Sequence, residues 1–189
     1  MKKSIAAFLV LTLGGISPLL AQWGGVLGGN RSSPPAATLT AITVTSVGTA
    51  RSNFTGEMGM IITVGAAPIT VTELGRWVIS GNAQTHDLSI FSMAGTLLGT
   101  VTINTVGATP AAEVWGTLGT PVVLSAGTSY LIASKEDQSL GDEWYNNDTT
   151  ITWTADFTTA NSGYSSGGAP NNNFDTGHAY VPVNLRYHK

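Results

Sequence analysis

The chain contains no cysteine. That excludes disulfides, thiol catalysis, thiolate metal sites and lipid attachment through a cysteine. Charge is nearly as scarce. Asp, Glu, Lys and Arg make up 10% of the 189 residues, against about 25% in an ordinary globular protein. The little charge present tilts negative, with eight basic and eleven acidic residues and a net charge of −3. Nucleic-acid binding needs a basic footprint, and attraction to an anionic membrane surface needs the same. This composition excludes both. Helical periodicity is missing as well: beyond the first 21 residues, Gly or Pro interrupts nearly every window of helix length.

Against these absences stand a hydrophobic content of 42%, five Trp, 23 Gly and 26 Thr. Disorder requires low hydrophobicity with high charge, which is the opposite balance. β-Branched and aromatic side chains pack well on a pleated surface, and Gly supplies turns, so the composition points to β-sheet.

Residues 1–21 read as a secretory signal. Lys2 and Lys3 form the positive start, residues 5–13 the apolar run, and Gly14, Gly15 and Pro18 break it before a small residue at Ala21. The run is too short for a membrane span, which needs about 20 apolar residues. The expected mature protein is secreted to the exterior or the periplasm, with no membrane insertion after signal removal. Without Lys2 and Lys3, six basic residues face eleven acidic ones, a charge of −5. Residues 22–37 read as a flexible Gly/Ser/Pro leader, in which Trp23 and Val26 are unusual, and residues 38–189 as one domain.

Within that domain strand signals recur every 8–12 residues. Met58, Met60, Ile62 and Val64 alternate onto one face. Ile69, Val71, Trp77 and Ile79 do the same, interrupted by Glu73 and Gly75. Leu88 and Ile90 pair with Leu97, Val101 and Ile103 across a turn at Met93, Ala94 and Gly95. Val122 and Leu124 precede a turn at Ala126 and Gly127 into Tyr130, Leu131 and Ile132. Ile151 and Trp153 alternate with threonines, and Val181, Val183, Leu185 and Tyr187 with polar residues. Parity turns Trp77 and Trp153 toward the core, and Pro182 marks an edge or a bulge. Nine to eleven short strands of this kind predict an all-β fold, a single β-sandwich of jelly-roll type.

Four stretches carry a family resemblance: LGRWVISGN at 74–82, PVVLSAGTSY at 121–130, GDEWY at 141–145 and AYVPVN at 179–184. In this order and spacing they resemble an uncharacterised exported β-sandwich domain of environmental bacteria. That domain occurs in large secreted proteins, sometimes beside carbohydrate-active modules. The likeness covers roughly residues 56–187. Members usually read Gly-Asp-Gln-Trp-Tyr where this chain has Glu143. The resemblance implies fold and secretion, and it transfers no catalytic residue.

The scarce acids are unevenly spread. Five of the eleven (Glu136, Asp137, Asp142, Glu143 and Asp148) fall within thirteen residues. One cause would be a calcium site, in which Asp137, Asp142 and Asp148 join amide or backbone oxygens. The stretch lacks EF-hand spacing, and a solvated acidic turn is the plainer reading. Trp144 and Tyr145 sit in the same loop beside Asn146, and Trp115 stands on the face of its strand opposite Val114. These four residues are candidate ligand-binding positions. An aromatic ring covers the apolar C–H face of a sugar while neighbouring polar groups replace water at its hydroxyls. The competing reading folds Trp144 and Tyr145 back as a cap on the core.

Enzymatic readings are weaker. The three histidines, His86, His178 and His188, lack zinc-ligand spacing, and His86 reads as a surface residue of a hairpin beside Asp87. Asp175 and His178 imitate part of a triad without a nucleophile elbow. Paired glutamates hydrolyse glycosides, and Glu57, Glu73 and Glu113 fall in or near strands. Glu73, at an inward position, is the suggestive one, with an ion pair to Arg76 or Arg51 as the alternative. The expected function is therefore noncatalytic binding of a polysaccharide or cell-surface polymer. Self-association is the alternative, in which the segment 38–47 completes a neighbour's sheet edge in a matrix, surface layer or fibre.

Overall fold

The computed structural model describes residues 36–82, 84–180 and 183–189, without the side chains of residues 172–174. The signal at 1–21, residues 22–35 of the leader with Trp23 and Val26, and the Val181–Pro182 step lie outside the described residues. Within them the chain forms β1 (Leu39–Thr40), β2 (Ile42–Ser46), β3 (Ala50–Arg51), β4 (Gly56–Val64), β5 (Ile69–Trp77), β6 (Thr85–Ser92) and β7 (Leu97–Asn104). After these come β8 (Glu113–Leu124), β9 (Ser129–Glu136), β10 (Trp144–Tyr145), β11 (Thr150–Trp153), β12 (Phe157–Ser165), β13 (Asn171–Thr176) and β14 (Val183–His188). A 3₁₀ turn over Gln138–Leu140 is the only helical element among the described residues. The count exceeds the expected nine to eleven because β1, β3 and β10 have two residues each, too few to show alternation.

Two sheets carry the fold, ordered β1-β14-β5-β8 and β13-β12-β4-β9-β6-β7. Four antiparallel pairs nest within one another along the chain: β6 with β7, β5 with β8, β4 with β9, and β1 with β14. The first and third lie in the six-stranded sheet, the second and fourth in the four-stranded one. A long hairpin rolled over two sheets in this way is the jelly-roll arrangement. Residues between β9 and β14 form an excursion. Its β12 and β13 extend the larger sheet beyond β4, while β10 and β11 make ribbons with β3 and β2.

The core lies between the sheets. Met58, Met60, Ile62 and Val64 enter it from β4, Leu88 and Ile90 from β6, and Leu185 and Tyr187 from β14, all as alternation predicts. Burying side chains of this size stabilises the fold by about 1.5–3 kcal/mol each.

β5 departs from simple alternation. Its register with β8 shifts between Val71 and Glu73, and such a bulge switches which side chains face inward. Leu74 and Arg76 therefore turn into the core, while Glu73 and Trp77 are only partly covered. This corrects two expectations: Glu73 is not an inward carboxylate, and Trp77 is not part of the main core. Trp153 does pack against that core. β1 and β2 pair with β14 and β11 of the same chain, so most of the segment 38–47 is used in its own sheets.

Candidate functional site

The acidic loop is held at both ends. Asp137 caps the 3₁₀ turn, accepting from the backbone N–H and hydroxyl of Ser139 at 2.9 and 2.7 Å. Gly141 ends that turn at φ 77°, the left-handed conformation glycine takes without strain. The Asn82 side chain then donates to Glu143 O (2.8 Å) and accepts from Glu143 N–H (3.0 Å). This two-way clamp delivers Trp144 and Tyr145 to β3. Further on, Asp148 accepts from both the N–H and the hydroxyl of Thr49.

Behind the clamp lies a polar cluster that sequence reasoning missed. Arg76 of β5 and Glu136 of β9 have no solvent exposure. Arg76 Nη2 donates to both Glu136 oxygens at 3.2 and 3.1 Å and to Glu143 O at 2.9 Å, and its Nε reaches Ser134 Oγ at 3.1 Å. His86 stands beside the pair, with Nδ1 3.8 Å from Glu136 Oε2 and 3.5 Å from Lys135 O. Its Nε2 faces Asp142 Oδ1 at 4.0 Å. The second oxygen of Asp142 accepts from Asp137 N–H at 2.7 Å.

Burial governs the protonation of this cluster. It pushes Glu136 up to about 7 against the pull of Arg76, and it raises Asp142. It also lowers His86 to about 4, with the Arg76 charge adding to the effect, so the imidazole is neutral at pH 7. His86 is thus a core residue, contrary to the surface position expected. Glu136 and Asp142 are likewise buried and do not belong to a solvated turn. The missed signal was inward parity: Glu136 continues Tyr130, Ile132 and Ser134 on β9, and His86 precedes Leu88 and Ile90 on β6.

The proposed calcium ligands are not brought together. Asp137 serves its own turn, Asp148 holds Thr49, and Asp142 alone enters the cluster. Among the described residues, the only group of three His or carboxylate side chains close enough to share an ion is His86, Glu136 and Asp142.

A cleft of about 350 Å³ opens on the other side of the clamp, lined by Trp144 and Asn146 from the loop. Arg51, Asn53, Phe54, Met58, Tyr164 and Tyr180 complete it. Its aromatic rings meet edge to face, Trp144 with Tyr180 at 5.5 Å, Tyr180 with Tyr164 at 6.2 Å and Tyr164 with Phe54 at 5.7 Å. Trp144 is only 5% exposed, so it caps the core and gives the cleft only a small part of its surface. Strand alternation sends the half-buried Tyr145 the other way.

Trp115 lies apart, on the four-stranded sheet. Its ring covers Gly75, and the Arg186 guanidinium stands 4.0 Å from its centroid. Arg186 also holds Glu73 at 2.9 Å, the ion pair that replaces the Arg76 or Arg51 contact expected for that residue. Glu113 accepts from Asn184 at 2.7 Å. Asp175 and His178 are both engaged by Asn147, through its side-chain amide and its carbonyl.

No protein-family model matches the chain, and no curated protein matches it.

Proposed function

We propose that the domain is an exported, noncatalytic binding module whose cleft between β3, β10 and β12 takes a short stretch of a polysaccharide or cell-surface polymer. The observation that carries this reading is the lining of the cleft. Phe54, Tyr164 and the small accessible part of Trp144 supply apolar contact for sugar C–H faces, and Asn53, Asn146 and Arg51 supply donors and acceptors for hydroxyls. A volume near 350 Å³ sits at the small end of ligand sites, about 300–1,000 Å³. That size suits a chain end or a few units better than a large flat surface. The rim is already shaped by interlocked aromatics and the Asn82 clamp, so little ordering accompanies binding.

Co-sedimentation with insoluble polysaccharides, followed by calorimetry with soluble oligosaccharides, tests the reading. Binding lost in Asn146→Ala and Arg51→Ala, with thermal stability retained, is the expected result. Failure to bind across a broad glycan panel refutes it.

A further inference from the structure

Two polar atoms in the core lack a hydrogen-bond partner and face each other: His86 Nε2 and Asp142 Oδ1. Both side chains are more than nine-tenths buried. At 4.0 Å they are too far apart for a direct hydrogen bond, which ends near 3.2 Å, and a bridging water would hold them about 4.5 Å apart. Two donors on one tetrahedral ion at about 2.1 Å each lie about 3.4 Å apart. The observed gap lies between these last two spacings, and a relative shift of about 0.6 Å brings both side chains onto one ion. Glu136 offers a third donor: an imidazole nitrogen of His86 and one oxygen from each carboxylate lie within 4.8 Å of one another, close enough to converge on one ion with small side-chain shifts.

We propose that His86 Nε2, Asp142 Oδ1 and a Glu136 oxygen bind one divalent ion of the zinc class. Imidazole with carboxylates suits such ions, whereas calcium prefers oxygen donors alone. The surroundings supply the outer contacts such sites use. Lys135 O lies near His86 Nδ1 and favours the tautomer that leaves Nε2 as a lone pair, Asp137 N–H holds the second Asp142 oxygen, and Arg76 holds Glu136. Arg76 balances one carboxylate and leaves the other for the ion. An approach exists too: a small cleft of about 190 Å³ has Asp142 in its wall, with Asp87 and Asp137 at the same opening and Lys135 beside them. The exposed Asp87 and the partly exposed Asp137 draw a cation toward the buried pair. The site is independent of what the aromatic cleft binds.

The test uses the full chain, stripped with a chelator and titrated with zinc chloride while the imidazole nitrogens are followed by NMR. With three histidines in the chain, the signals separate readily. One equivalent of zinc is expected to shift His86 Nε2 and to raise the melting temperature, and Asp142→Asn to weaken binding at least tenfold. Asp148→Asn is expected to bind as the parent does. Zinc that shifts only His178 or His188, calcium that stabilises more than zinc, or unchanged affinity in a folded Asp142→Asn variant overturns the site. Should that variant not fold, the nitrogen shifts of the parent chain decide alone.

Discussion

Arg76 and Glu136 join the two sheets through the middle of the sandwich, a guanidinium on β5 meeting a carboxylate on β9 with neither exposed to solvent. The desolvation cost of such a pair offsets much of its attraction, but losing one partner strands the other. Arg76→Ala is expected to destabilise the protein by about 3–5 kcal/mol in urea denaturation. Replacing both residues with methionine should recover part of that loss. A single variant as stable as the parent would show that water reaches the cluster.

Glu57, on β4, gives the protein a pH dependence. Burial pushes its carboxyl up to about 7, Lys135 pulling down and Asp87 pushing up more weakly. The folded state therefore binds its proton more tightly than the unfolded chain, whose value is near 4.5. Its contribution is complete below pH 4.5 and is lost as the pH rises toward 7. Glu57→Gln should flatten the stability profile across that window and be the more stable form at pH 8. Equal slopes for the two proteins would contradict this.

Gly75 lets Trp115 lie flat on the sheet. A Cβ there would come within 2.7–2.9 Å of the ring, so Gly75→Ala is expected to displace the indole from Arg186 and cost about 1–3 kcal/mol. Tryptophan fluorescence and thermal melting report the two effects together.

Asn82 connects the buried cluster to the cleft. Asn82→Ala removes both hydrogen bonds to Glu143, at a cost of about 1–3 kcal/mol. Trp144 and Asn146 then lose their fixed placement. Any glycan affinity should fall in this variant although residue 82 does not line the cleft, and calorimetry on the folded variant checks it.

The sandwich was legible because alternation is a local property: Met58 to Val64 declare an inward face without reference to any other strand. The bulge in β5 is not local. It depends on how Thr72 and Glu73 meet β8 and β14, so parity carried past it puts Trp77 on the wrong side and hides Arg76. His86 and Glu136 were hidden differently. Each occupies an inward position, but a polar or ionisable side chain reads as exposed until the groups packed against it are known: Arg76 from the other sheet for Glu136, Asp142 from the loop for His86. Loop chemistry was the least legible. The concentration of acids between 136 and 148 is evident in the sequence, yet the structure divides them among a helical cap, a core cluster and a contact to Thr49.

The nested pairing of strands also implies an order of assembly. β6 and β7 meet across a tight turn, whereas the outer arms bring together Ile42 and Asn184, 142 positions apart. Contacts of such separation form slowly, because loop closure is paid before they reward it. The inner hairpin is therefore the natural starting point and β1–β14 the last seam to close. Amide exchange should be fastest at that seam and slowest in β6, which pairs with β7 on one side and β9 on the other, so the domain opens from its outer arms inward.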